Sequence, residues 1–191
     1  MYSRKEIFSV PNLLGYFRIS LIPVFMYLFL KPEIPKVYAT VVVGISSLTD
    51  MFDGLIARKF NMITELGKLI DPLADKLTQG ALIICFLLEY PLMWVLMCIY
   101  FVKECFMAAM GLIILRKNGQ KLNGANMYGK VSTAMVYIVM FLFLLIYDLP
   151  LAVVNTLIII CAASTLLALV SYIPAFVKLY RLPKEDDKAS R

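Results

Sequence analysis

Apolar residues dominate six stretches of the chain, centred in 10–30, 37–57, 67–89, 91–115, 128–147 and 150–177. Each is close to the roughly 20 residues that a helix needs to cross the hydrocarbon core of a bilayer. Polar breaks with turn chemistry separate them: Lys31-Pro32-Glu33-Ile34-Pro35, Glu89-Tyr90-Pro91 and Asp148-Leu149-Pro150. Proline stops a helix at such a break because it has no amide hydrogen and its ring crowds the preceding turn. A longer polar break, from Arg116 to Asn126, contains Asn118-Gly119 and Asn123-Gly124. The pattern predicts an all-α integral membrane protein with about six transmembrane helices. A short helix from Tyr2 to Ser9 is expected to lie in the interface, with Ile7 and Phe8 inserted among the lipids.

Composition agrees with the pattern. Hydrophobic residues make up 61% of the 191 positions, against about 45–50% in soluble domains, and the mean hydropathy is +0.82. No Pro/Gly/Ser-rich linker divides the chain, so residues 1–191 read as one domain, with a disordered tail over about 184–191. The basic start and first apolar run resemble a signal peptide, but no small-residue cleavage site follows, so the run reads as retained.

The formal net charge of +6 comes from Lys and Arg that flank the apolar runs. No basic stripe interleaved with aromatics is present, so nucleic acid is not an expected partner and membrane lipids are. One set of connections carries Arg4 and Lys5, then Arg58, Lys59 and Lys68, then Arg116, Lys117 and Lys121, then Lys178 onward; the other has only Lys31 and Lys36. Positive charge marks the cytoplasmic side, so both termini are expected there. The compact form and this bias suit a bacterial inner membrane.

The chain has no histidine, which excludes Ser-His-Asp, Cys-His and zinc-histidine chemistry. Cys85, Cys98, Cys105 and Cys161 sit inside apolar stretches without a CxxC pair and read as small buried hydrophobes. Any general base is therefore a carboxylate, lysine, tyrosine or cysteine, and any metal site must be built mainly from oxygen.

The informative segment is Asp50-Met51-Phe52-Asp53-Gly54-Leu55-Ile56-Ala57-Arg58, continued by Gly67, Asp71 and Asp75. On a helix, Asp50, Asp53, Gly54 and Ala57 share one face, as do Gly67, Asp71 and Asp75. The polar stretch from Lys59 to Glu65 can turn the chain, so that two helices point four carboxylates at each other. Such acids cost at least a few kcal/mol each at membrane depth, and they repel one another. A divalent cation removes both penalties, and all-oxygen ligation suits Mg²⁺, Mn²⁺ or Ca²⁺. Gly54, Ala57 and Gly67 leave room for a bulky ligand, and Arg58 supplies a bidentate donor for phosphate. The bland alternative is helix pairing through single acids and small residues at four-residue spacing. It accounts for any one of these positions and poorly for all of them together.

Asp50-x2-Asp53-Gly54-x2-Ala57-Arg58-x8-Gly67-x3-Asp71-x3-Asp75 resembles the complete signature of the CDP-alcohol phosphatidyltransferase family. Pro11-Asn12-Leu13-Leu14 with Arg18, and Gly129-Lys130-Val131-x-Thr133, resemble further family elements. The resemblance implies a six-helix membrane enzyme, usually a homodimer, open to the cytoplasmic leaflet. It implies Mg²⁺ or Mn²⁺ on Asp50, Asp53, Asp71 and Asp75, with Asp75 also the general base. It places the CDP moiety on Asp50, Asp53, Gly54, Ala57, Arg58 and Gly67. The implied reaction transfers a phosphatidyl group from CDP-diacylglycerol to an alcohol and releases CMP.

Glycerol-3-phosphate is the preferred acceptor and phosphatidylglycerol, giving cardiolipin, the alternative. Family members that use glycerol-3-phosphate carry Arg-Glu in the fourth helix and another Arg two turns on. This chain has Lys103-Glu104 and then Gly111. Lys103, Arg116 and Lys130 are the candidate acceptor-binding cations, with Lys117 and Lys121 in the same basic loop region. Gly15 stands where the opening motif commonly has Thr. A cation- or proton-coupled transporter is the reading from another class. Transporter sites draw on several helices near the midplane, often with two related halves, and neither feature is evident here.

Overall fold

The structure is a computed structural model and describes residues 7–60, 62, 64, 66–118, 126–146 and 148–180, without the side chains of Arg58, Lys68 and Asn118. Among the described residues six long helices follow one another: α1 (Val10–Leu30), α2 (Val37–Lys59), α3 (Gly67–Leu87), α4 (Met93–Asn118), α5 (Met127–Leu145) and α6 (Leu151–Tyr180). No strand occurs among the described residues. Five of the helices are long and apolar enough to cross a membrane. The exception, α3, carries Lys68, Asp71, Asp75 and Lys76 in its first half, which lowers its hydropathy while its length remains that of a span. The chain is an all-α membrane protein. The tail at 184–191 and the first five positions of the expected interfacial helix lie outside the described residues.

Local chemistry explains the ends. Pro11 sits in the first turn of α1, where an amide hydrogen would have no helical partner anyway. The Pro91 carbonyl accepts from the Trp94 amide at 3.3 Å, and that of Pro150 from Val154 at 3.1 Å, so each proline break also starts the next helix.

The chain divides into two compact units, Met1–Glu89 with Met140–Asp148, and Tyr90–Val139 with Leu149–Arg191. In the first, α1 packs on both α2 and α3. The core holds Phe25, Phe29, Val43, Ile70, Leu82, Phe86 and Phe143. Phe86 meets Phe29 and Phe143 edge-on at 5.0 and 5.6 Å, the arrangement that ring quadrupoles favour. The periodicity of α3 is legible residue by residue. Leu69, Leu73 and Leu77 are exposed while Ile70 and Ala74 are buried. Outward leucines in a membrane helix meet lipid, so their exposure carries no aqueous penalty.

In the second unit α4 packs on α6, through Ile114, Tyr172 and Phe176 with Phe106, Met107 and Met110. Polar groups join α5 to α6: the Ser132 hydroxyl donates to Thr165 Oγ1 at 3.1 Å, and Asn126 Nδ2 to the Ser171 carbonyl at 3.2 Å. All four cysteines are free thiols. Cys85 and Cys161 are buried as expected, whereas Cys98 and Cys105 are exposed. Both lie on α4 among exposed apolar side chains, where a small apolar residue is equally at home in lipid.

Gly129 on α5 admits α6 closely, since a Cβ there would lie 2.9 Å from Tyr172 Cζ and nearer still to its hydroxyl. A Cβ at Gly111 would meet nothing within 4 Å. Gly129→Ala is therefore expected to destabilise the detergent-solubilised protein by about 1–3 kcal/mol through overpacking. Gly111→Ala should leave the melting temperature unchanged or slightly raised. Equal effects of the two substitutions would contradict this packing.

Candidate active site

An arginine in an apolar helix needs a partner, because an isolated charge at membrane depth is costly. Arg18 is the one charged residue between Val10 and Leu30, and its side chain is 4% exposed. Its partners are all four signature aspartates. Nη1 pairs with Asp50 and lies 3.1 Å from Asp75 Oδ1. Nη2 lies 3.1 Å from Asp53 Oδ2 and 3.6 Å from Asp71 Oδ1. The spacing thus delivers what it predicted, carboxylates from α2 and α3 directed at one place. The third helix at that place, and the cation between them, are additions of the structure.

The cluster is graded in exposure. Asp53 is 5% exposed, whereas the Asp50, Asp71 and Asp75 side chains are 49%, 49% and 45% exposed. One wall is therefore sealed by α1 and the other is open. One guanidinium balances only one of four carboxylates. Its satisfaction is also incomplete: Arg18 Nε, Arg18 Nη2 and Asp53 Oδ2 are buried without a hydrogen-bond partner. The short Nη2–Asp53 approach is Coulombic, without the alignment of a hydrogen bond.

Among the described residues no three acidic or thiol side chains close on a point as a metal shell does; the aspartates stand around the guanidinium. Their chemistry nevertheless fits a hard divalent cation. The donors are all carboxylate oxygens, one of them buried without a hydrogen bond, and three of the side chains reach the open side. That set suits Mg²⁺ or Mn²⁺.

A second polar contact sets the entry of α3. Thr64 Oγ1 donates to Asn12 Oδ1 at 3.1 Å and accepts from the Gly67 amide at 2.9 Å. A Cβ on Gly67 would lie 2.7 Å from Asn12 Oδ1 and 3.1 Å from Thr64 Oγ1. The small residue expected to leave room for a ligand thus first makes room for Asn12 of α1. Gly15 works in the same way, since a Cβ there would lie 2.7 Å from Ile70 Cγ2. Thr at this position would need Ile70 to shift, which gives the Gly15 departure from the opening motif a local reason. Gly54 and Ala57 are half-buried on α2, and the Arg58 side chain lies outside the described residues.

The candidate acceptor cations belong to the second unit. Lys103 is buried, with Nζ 2.8 Å from Glu104 Oε1 and 5.9 Å from the centre of the Tyr100 ring. Arg116 is exposed in the last turn of α4, where a cation complements the helix dipole, and Lys130 is exposed in the first turn of α5. Lys117 donates to the Tyr180 carbonyl at 3.1 Å and lies over its ring. Lys121 lies outside the described residues.

The sequence offers Asn12 and Arg18 only as parts of an opening motif and gives Thr64 no role. The lone charge in α1 was the available signal for Arg18. Nothing in spacing pointed to Thr64.

Together these features define a membrane protein with a half-open carboxylate site built on three helices. The sequence profile of CDP-alcohol phosphatidyltransferases matches residues 8–170, and the chain belongs to that family. It is 35% identical over 161 residues to CDP-diacylglycerol–glycerol-3-phosphate 3-phosphatidyltransferase of Bacillus subtilis, covering 78% of this chain and 82% of that one. A Rickettsia bellii protein of the same name is 41% identical over 80 residues, 41% of this chain and 44% of that one. The cardiolipin synthase (CMP-forming) of Streptomyces coelicolor is 31% identical over 133 residues, 67% of this chain and 61% of that one.

Gly67→Ala is expected to destabilise the fold by about 1–3 kcal/mol. Asn12→Ala, which removes the blocking oxygen, should recover part of that loss. Coupling of about 0.5 kcal/mol or more in a double-mutant cycle of thermal unfolding is the expected result. Strict additivity would mean that the two residues do not meet.

Proposed function

We propose that this membrane transferase makes a phospholipid precursor by transferring the phosphatidyl group of CDP-diacylglycerol to glycerol-3-phosphate. The observation that carries this reading is the gathering of Asp50, Asp53, Asp71 and Asp75 around one position. The likeness to the Bacillus subtilis enzyme, over most of both chains, favours the acceptor.

In this reading the four aspartates hold Mg²⁺ or Mn²⁺, and Gly54, Ala57, Arg58 and Gly67 surround the CDP moiety. When bound, the metal supplies neutralisation of charge on the diphosphate and on the departing CMP. Asp75, at the exposed side of the cluster, accepts the proton of the acceptor hydroxyl. The hydroxyl oxygen forms a bond to the lipid-linked phosphorus, and the bridging bond to CMP breaks. Lys103, Arg116 and Lys130 are the cations proposed for the acceptor phosphate. The enzyme works as a homodimer in a bacterial inner membrane with the site toward the cytoplasm, the side to which Lys and Arg are biased.

Phosphatidylglycerol is the second reading for the acceptor. Gly111, where glycerol-3-phosphate users carry an arginine, favours it, and so does the Streptomyces coelicolor relative.

CMP release from CDP-diacylglycerol, with Mg²⁺ or Mn²⁺ and each alcohol in turn, separates the readings. Release with glycerol-3-phosphate and its abolition by EDTA are expected. Release only with phosphatidylglycerol would overturn the acceptor, and no release with any alcohol would overturn the transferase. Asp75→Asn should lower turnover by about 10²–10⁴-fold, the usual contribution of a general base, with CDP-diacylglycerol binding largely kept. Equal loss of binding and turnover would remove Asp75 from the base role.

A further inference from the structure

We propose that Arg18 is a tethered counter-cation, which holds the aspartate cluster together when divalent metal is absent and competes with metal for the same carboxylates. The inference rests on the reading of those aspartates as metal ligands and goes beyond it, because it assigns the competitor.

The geometry makes the competition direct. Each of the four carboxylates lies within 3.6 Å of an Arg18 terminal nitrogen. A metal ion approaching Asp53 Oδ2 meets an oxygen already in contact with Nη2. Guanidinium and a divalent cation cannot share that position, since like charges at such separations repel strongly in a medium of low effective dielectric.

The hold of Arg18 is firm enough to matter and weak enough to yield. Burial of its side chain at 4% exposure makes its charge dependent on the aspartates, as a buried ion left unpaired is strongly destabilised. Yet Nε and Nη2 lack hydrogen-bond partners, so the guanidinium does not exploit its full donor set. The half-exposed sides of Asp50, Asp71 and Asp75 give metal an approach that α1 does not block. A displaced guanidinium remains attached to α1 and close to the incoming diphosphate, which it can bind with two parallel donors. A single pivot of one side chain would then convert a partly neutralised cluster into a metal and phosphate site.

The test is Mn²⁺ binding to the purified full chain without substrate, read from the free-Mn²⁺ signal in electron paramagnetic resonance. Arg18→Gln removes the competitor while keeping a polar side chain. It should tighten Mn²⁺ binding by about tenfold or more, corresponding to about 1.4 kcal/mol. Its melting temperature in EDTA should fall below that of the unsubstituted protein, and Mn²⁺ should raise it by a larger increment. Unchanged or weaker Mn²⁺ binding by a folded Arg18→Gln protein would overturn the proposal. If that variant does not fold, Arg18→Lys serves instead. Lysine keeps the charge but reaches fewer carboxylates, so Mn²⁺ binding should tighten by a smaller factor, and an unchanged affinity overturns the proposal. Failure of the unsubstituted protein and both variants to bind Mn²⁺ would overturn the metal reading itself, and the competition with it. Binding by the unsubstituted protein that Asp53→Asn weakens, with no change on substituting Arg18, would leave the metal reading standing and remove only the competition.

Discussion

A buried arginine among four aspartates is the interaction on which the first compact unit of this protein depends. Without Arg18 the carboxylates of α2 and α3 would face one another with only repulsion between them, and without the carboxylates a guanidinium could not be buried in α1. The pairing therefore fixes three helices against one another at the level of the site. The packing around it follows the same requirement. Gly15 and Gly67 admit close approach between α1 and the start of α3. Thr64 links Asn12 to the Gly67 amide, so the position of Asp71 and Asp75 is set by contacts made at the first turn of their own helix.

Much of this was legible from hydrophobic periodicity and charge. Six apolar stretches correspond to six helices because spanning length and turn chemistry leave the chain little choice. The aspartate face was legible for the same reason: a repeat at three and four residues can only be one side of a helix. Other features depended on neighbours that no local pattern reveals. Arg18 lies 32 residues before Asp50 and 57 before Asp75, so nothing in its own surroundings names its partners. Gly67 has the spacing of a ligand-facing glycine, yet its hydrogen atom faces Asn12. The charge-rich first half of α3 depresses its apparent hydropathy, although the helix is as long as α1. Cys98 and Cys105 are exposed where the sequence reads as buried, because exposure to lipid and burial in protein select the same residue types.

The residues proposed for donor and acceptor fall in different compact units of the chain. The first unit holds Asp50, Asp53, Asp71 and Asp75 around Arg18, the residues proposed to hold the donor. The residues proposed to bear on the acceptor, Lys103, Gly111, Arg116 and Lys130, all belong to the other unit. Lys103 is already paired with Glu104, so any anion it binds competes with a neighbouring carboxylate.

The most direct test of the account is an anomalous-scattering map of the protein with Mn²⁺ and CDP-diacylglycerol bound. A manganese peak bounded by Asp50, Asp53, Asp71 and Asp75, with the diphosphate beside it, is the predicted result. A diphosphate bound elsewhere, or an aspartate cluster without manganese while the nucleotide lipid is bound, would contradict it.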